Sequence, residues 1–177
     1  LSLISYSSSL FTNHGVIFNT IFLIIGIIFF FVFFRKINNI KKEIILFFVV
    51  FTFLLFFISL GKNHDDFSYY HFPYSIFLTE FSHPIGFGLL NNGFRSPSSI
   101  FFMNSMLYLP IVSFYLFHLT AAYLFGFTNL VLLKFAFDKK IFKTKKIINF
   151  LSLISLIFIN IFFYRLAEHG TDRSGMI

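Results

Sequence analysis

The densest polar cluster in this 177-residue sequence is the stretch 61–71, Gly-Lys-Asn-His-Asp-Asp-Phe-Ser-Tyr-Tyr-His. Its adjacent carboxylates, Asp65 and Asp66, can take a proton from a hydroxyl group as general bases. They can also hold a divalent cation such as Mg²⁺ or Mn²⁺ through oxygen ligands. The structural alternative is helix capping by Asn63 or Asp65, with Asp66 in the first turn of the helix.

A second cluster, 91–99, contains Arg95, which is the only basic residue between Lys62 and Lys134. A guanidinium group can bind a phosphate through two parallel N–H bonds, and we therefore expect Arg95 to contact a phosphate. The alternative is that Arg95 pairs with a lipid headgroup or with Glu80.

Several neighbouring polar side chains are candidates for substrate contacts. His71 follows Asp66 by five residues, so in an α-helix the two do not share a face, and a zinc site of His and Asp is the less favoured interpretation. A third polar cluster, 165–173, follows the last apolar run. The predicted substrate-contacting residues, besides Arg95, are Tyr70, His71, Asn91, Glu168 and Asp172.

Composition restricts the class of protein that positions these residues. The sequence is 57% hydrophobic and only 12% charged, whereas soluble domains average about 25% charged residues. This excludes a soluble globular enzyme and a disordered chain, and the absence of cysteine excludes a disulfide scaffold. The 33 phenylalanines lie mostly in uncharged runs, which indicates lipid-facing bulk.

The apolar runs predict an all-α, polytopic transmembrane helix bundle with about four spans. A bilayer core needs about 17–25 apolar residues in a helix, and these runs lack the alternation of barrel strands. We treat 1–177 as a single membrane domain and expect it to be a fragment of a longer protein. The predicted spans are 16–34, 44–60, 111–137 and 147–164. His118, inside the third span, is expected to be a neutral histidine bonded to another helix rather than a proton relay.

Charge placement predicts the orientation. The loops 35–43 and 134–146 together hold ten of the 14 Lys and Arg residues, which places them in the cytoplasm by the positive-inside rule. The segments 61–110 and 165–177 then face the extracytoplasmic side of an inner membrane. The basic residues behind the net charge of +7 are therefore expected to fix the orientation in the membrane and to contact anionic lipid. No nucleic-acid partner is expected.

The connection 61–110 is the one long loop, and it holds all four prolines. Connections of this length are usually functional or disordered, and its aromatic content argues against disorder. We expect interfacial helices over 66–81 and 98–109, lying on the membrane surface.

The motifs of this loop and of the tail resemble an uncharacterised bacterial membrane-protein family that is loosely grouped with the GT-C glycosyltransferases. The shared patterns are Asp-Asp-x-x-x-Tyr-His and Glu-Tyr/His-Gly-Thr-Asp. In this sequence the resemblance rests on 65–73 (Asp-Asp-Phe-Ser-Tyr-Tyr-His-Phe-Pro), 88–91 (Gly-Leu-Leu-Asn), Arg95, 98–99 (Ser-Ser) and 168–172 (Glu-His-Gly-Thr-Asp).

The resemblance implies transfer of a sugar from a polyprenyl-phosphate donor at the extracytoplasmic face, with Asp65 and Asp66 as general base or metal ligands. Two alternatives stay open at this point. One is a transporter or flippase subunit without chemistry, although transporters place ionisable groups near the bilayer midplane. The other is an envelope glycan polymerase or ligase, which would use the same donor lipid.

Overall fold

The structure, a computed structural model, describes residues 1–35, 40–59, 66–83, 85–137 and 146–162, and every regular element within these ranges is helical. The all-α prediction is therefore confirmed for the described residues. The α-helices are α1 (Ser2–Ser9), α2 (Val16–Phe34), α3 (Ile40–Ser59), α4 (Phe72–Glu80), α5 (Ser99–Ser105), α6 (Leu119–Phe137) and α7 (Lys146–Phe162).

Four of these helices, α2, α3, α6 and α7, occupy the predicted spans. Two described segments, Val16–Phe34 and Phe114–Phe137, are long and apolar enough to cross a membrane. Helix α7 is apolar but shorter, with 17 described residues. The structure thus supports membrane association through two helices.

The third predicted span, 111–137, begins differently from the prediction. A 3₁₀ turn covers Phe114–Leu116, and the α-helix starts only at Leu119. Before it, Ile111 and Ser113 have φ angles of 73° and 49°, which a right-handed helix excludes. The sequence-based boundary was wrong here because an uncharged, apolar run conceals a backbone turn.

A helix bundle is formed by α3, α6 and α7, and its buried core is Leu54, Ala122 and Phe125. Gly126 permits close approach, because a Cβ there would lie 2.8 Å from side-chain atoms of both Leu54 and Phe51. Small residues at helix contacts are typical of membrane bundles, where lipid offers no hydrophobic drive for association.

Polar contacts join the start of α3, the end of α6 and the start of α7 at one end of the bundle. Glu43 at the start of α3 forms an ion pair with Lys134 near the end of α6. Asn149, near the start of α7, donates to the carbonyls of Phe135 (2.7 Å) and Ala136 (3.2 Å). The helix ends that adjoin the two basic loops therefore lie at the same end of the bundle, as the charge pattern predicted.

A second body, the aromatic unit, comprises the described residues of 66–109 and the segment 1–15. Helices α4 and α5 pack on each other here, and α1 packs on α5. The buried core of this unit consists of Tyr74, Leu78, Phe94, Phe101 and Phe102. The predicted helices over 66–81 and 98–109 are both present, although α5 itself is shorter than predicted.

Candidate functional site

The acidic cluster leads into a π-helical turn, Phe67–His71, which continues directly into α4. The amide of His71 donates to the carbonyl of Asp66 (3.3 Å), which is a five-residue spacing. Pro73 has no N–H, so the α-helical bond from residue 73 to the carbonyl of Tyr69 cannot form. That carbonyl is left for another donor.

Asn91 supplies the donor. Its Nδ2 donates to the Tyr69 carbonyl (3.2 Å), and its Oδ1 accepts from the Gly93 amide (2.8 Å). Both ends of the Asn91 side chain are therefore used to hold the second cluster against the first. This is a positioning role, different from the substrate contact that was predicted for Asn91.

Gly93 completes the attachment by lying directly on the Tyr70 ring. A Cβ at position 93 would lie 2.5 Å from Tyr70 Cγ, which is far inside van der Waals contact. Only glycine fits at this distance without displacement of the tyrosine. Two clusters that are separated in sequence thus form one folded surface.

The carboxylate of Asp66 accepts a hydrogen bond from the hydroxyl of Tyr70 (3.2 Å). Asp66 was expected in the first turn of the helix, but it occupies the position directly before the π-turn, where its side chain makes no capping bond. Predicted site residues Asp65, Glu168 and Asp172 and the alternative cap Asn63 lie outside the described residues.

His71 is buried rather than presented to a substrate. Its side chain is 3% exposed, and its ring centroid lies 4.3 Å from that of Tyr70 and 5.3 Å from that of Phe101. The argument that separated His71 from Asp66 assumed α-helical spacing, which was wrong because the turn is π-helical. In this structure the His71 ring packs against the rings of Tyr70 and Phe101.

Arg95 lies in the loop that Asn91 and Gly93 hold in place. Its Nε donates to the Gly88 carbonyl (3.3 Å), and the side chain is exposed. A Cβ on Gly88 would approach Arg95 Cγ to 3.0 Å, so the glycine leaves room for the guanidinium stem. Among the described residues no carboxylate pairs with Arg95, and the alternative pairing with Glu80 does not occur.

A cavity of about 490 Å³ opens beside this arginine, and its lining includes Tyr74, His83, Phe87, Phe94 and Arg95. Burial, with a smaller contribution from nearby Tyr6, raises the pKa of Tyr74 to about 12. The phenol therefore stays neutral at physiological pH. Aromatic walls with one guanidinium group suit an anionic group attached to an apolar or ring-shaped ligand.

The segment 1–15 carries a buried polar network that the sequence analysis did not single out. His14 has no exposed surface, and its Nε2 and Nδ1 lie 2.8 Å and 2.6 Å from the hydroxyls of Ser8 and Ser105. Burial lowers the pKa of His14 to about 4 against a weaker raising contribution from the Ser5 backbone. The signal available in the sequence was a group of Ser, His and Asn residues directly before an apolar span.

Asn19 extends this network at the start of α2. Its Nδ2 donates to the carbonyls of His14 (2.7 Å), Ser105 (2.9 Å) and Tyr108 (2.9 Å). The first candidate span is thereby tied to the aromatic unit. The segment 1–15 and the described part of the outer loop, 66–109, consequently lie at the same side of the protein.

No protein-family model, curated protein or solved structure matches the chain. The fold and the site define a class: an all-helical protein, in its described part, with two helices long enough to cross a membrane. An aromatic unit joined to them carries a carboxylate and an arginine on one folded surface. Within the described ranges no group of three or more His, Cys, Asp or Glu residues could hold a metal ion.

Proposed function

We propose that the protein is a multi-pass inner-membrane glycosyltransferase of the GT-C type. It transfers a sugar from a polyprenyl-phosphate donor to an acceptor hydroxyl at the extracytoplasmic face. The aromatic unit lies at that face, and α2, α3, α6 and α7 cross the bilayer.

The observation that supports this proposal is the attachment of the Arg95 loop to the acidic turn. The Asn91–Tyr69 hydrogen bond and the Gly93–Tyr70 contact make one surface from two clusters. A base and a phosphate-binding cation on one surface are the two groups that glycosyl transfer from a lipid phosphate requires.

The chemistry follows from these groups. The Asp66 carboxylate, with Asp65 beside it in sequence, takes the proton of the acceptor hydroxyl as its oxygen attacks the anomeric carbon. The bond between that carbon and the phosphate oxygen breaks, and the phosphate leaves on the polyprenyl lipid. Arg95 stabilises the negative charge of the leaving phosphate.

A divalent cation on Asp65 and Asp66 stays a prediction of the sequence. Oxygen ligands of this kind suit Mg²⁺ or Mn²⁺, and a bound cation would supply charge stabilisation to the phosphate. The Tyr70 hydroxyl, which donates to the Asp66 carboxylate, would then orient the ligand.

The test is transfer of labelled sugar from a polyprenyl-phosphate sugar to endogenous glycolipid by the full chain in native membrane vesicles. We expect Asp66→Asn to lower the rate about 100-fold or more, because general-base catalysis contributes about 10²–10⁴-fold. Tyr70→Phe keeps the ring on which Gly93 lies and removes only the hydroxyl, so a smaller loss is expected.

Glu80→Gln is the matched control, since Glu80 is an exposed carboxylate at the end of α4. Its rate should equal that of the wild type. Full activity in Asp66→Asn and in an Asp65→Asn/Asp66→Asn double variant would disprove the assigned role of the acids.

A further inference from the structure

We propose that the cavity lined by His83 and Arg95 binds the phosphate group of a membrane lipid, and that His83 is a second phosphate contact. The inference deepens the proposed function and rests on it only for the identity of the lipid as a sugar donor. His83 was not among the residues predicted from the sequence.

His83 is held rigidly by elements distant in sequence. Its ring lies 5.6 Å from the Tyr6 ring in an edge contact and is stacked 5.7 Å from the Phe102 ring. Its backbone amide donates to the Ser9 carbonyl (2.7 Å). Packing on α1 and α5 thus fixes the orientation of this imidazole.

The ring nitrogens of His83 are not used within the described part of the chain. Its Nδ1 is buried without a hydrogen-bond partner there, and Nε2 makes no hydrogen bond to a described residue. The residue nevertheless lines the same cavity as Arg95. An imidazole held by packing, in the wall of a cavity that an arginine also lines, is suited to donate a hydrogen bond to a phosphate oxygen.

The cavity has the dimensions and charge of a small-ligand site. Its volume of about 490 Å³ lies within the range of about 300–1,000 Å³ that is common for such sites. Among the described residues that line it, Arg95 is the one with a permanent charge. Gly86, at a φ of 91°, turns the chain at the cavity wall and adds no side chain.

The rim of the cavity favours a lipid over a water-soluble phosphate. Ile85 and Leu89 line the cavity and are 95% and 89% exposed, and neighbouring Leu90 is 76% exposed. The exposure of such side chains to water is unfavourable relative to an apolar environment. Insertion among acyl or isoprenyl chains removes this cost while the guanidinium stays at the headgroup level.

The experiment measures equilibrium binding of radiolabelled geranylgeranyl phosphate to the full chain in nanodiscs of neutral lipid. Geranylgeraniol tests the need for the phosphate, and glycerol 1-phosphate tests the need for the chain. We expect His83→Phe and Arg95→Gln each to weaken binding about tenfold or more, the loss typical of one hydrogen bond to a charged group. Asn92→Ala, an exposed position that does not line the cavity, should bind as the wild type.

His83→Phe retains an aromatic ring between Tyr6 and Phe102, so packing is preserved. If it does not fold, the wild-type chain still gives the answer through a photoreactive isoprenyl phosphate. Labelling within 83–97 supports the site, and labelling confined to other segments overturns it.

In the binding experiment, three outcomes overturn the inference: unchanged binding in both variants, equal binding of geranylgeraniol, or glycerol 1-phosphate bound as tightly as the lipid. The last would assign the cavity to free phosphate esters. Failure of the proposed function looks different, because binding would follow His83 and Arg95 while no sugar transfer is found. Conversely, if sugar transfer requires Asp66 and Arg95 but is unaffected by His83→Phe, only this inference is contradicted.

Discussion

The aromatic unit and the helix bundle are stabilised by different interactions. In the aromatic unit, hydrogen bonds join residues distant in sequence, such as His14 with Ser105, around a core of tightly packed rings. In the bundle and α2, large apolar side chains face outward, and Phe31, for example, is 59% exposed. The bundle contacts rely on a glycine and on side-chain amides.

In the proposed topology, this difference reflects the solvent of each region. A body outside the hydrocarbon must exclude water through its own core, and it can bury polar groups only when they are bonded. Helices in lipid gain little from burying apolar surface, so close backbone approach and amide pairs decide their packing. The site residues belong to the first region, which is the one able to fix them in place.

The largest expected effect is the dependence of the stability of the aromatic unit on pH. Because the pKa of His14 is about 4 in the fold and 6.5 ordinarily, the unfolded chain binds more protons between these values. The contribution of His14 to stability is therefore complete above about pH 6.5 and is lost progressively as the pH decreases toward about 4. Thermal unfolding in detergent from pH 7.5 to 4 measures it.

His14→Gln removes the titrating group and should flatten this pH profile. An equally steep loss of stability in the variant would assign the acid sensitivity to other groups. Such a result would contradict the view that the buried polar network around His14 stabilises the aromatic unit.

A smaller effect is expected at Gly93. Gly93→Ala places a methyl group against the Tyr70 ring, and overpacking of this kind costs about 1–3 kcal/mol. Gly26→Ala in α2 is the matched control, since a Cβ there meets nothing within 4 Å. Limited proteolysis should release the 85–97 loop in the first variant only, and equal behaviour of the two would refute the close contact.

Within the bundle, Asn160 donates to Asn129 Oδ1 at 2.6 Å and joins α7 to α6. Asn160→Leu should cost about 0.6–2 kcal/mol in detergent unfolding, the range measured for hydrogen bonds between membrane helices. Asn129→Leu and the double variant complete a mutant cycle. Additive losses would show that the two amides are not coupled.

The smallest effect is expected for the ion pair of Lys134 with Glu43, whose side chains are 52% and 41% exposed. Exposed pairs contribute about 0–1 kcal/mol, so Lys134→Met should change unfolding only slightly and less still at high salt. A loss above that of Asn160→Leu would mean that charge rather than amides organises the bundle.

The helical class and the approximate positions of α2, α3, α6 and α7 could be predicted from the sequence because hydropathy encodes them, whereas α1 was not predicted. The start of α6 could not, since Ile111 and Ser113 adopt positive φ angles in a run that is uniformly apolar. Apolarity specifies the solvent of a segment but does not specify a backbone turn within it.

The candidate site was predicted in part. Asp66 and Arg95 stand out by charge, but the bond of Asn91 to the Tyr69 carbonyl depends on the effect of Pro73 on a π-turn. The contribution of His83 depends on α1, which is far away in sequence. Such long-range contacts leave no local spacing pattern for a single sequence to show.

The hydrogen bonds of His14 and Asn19 with Ser105 and Tyr108 also constrain biogenesis. The segment 14–19 is synthesised well before its partners, and in the proposed topology they reach the same face only after the chain has crossed and recrossed the bilayer. Until then, the polar groups at the start of α2 must be satisfied by water, lipid headgroups or the insertion machinery. In that topology, correct assembly of α2 is completed late, and it requires the segment that contains Ser105 and Tyr108.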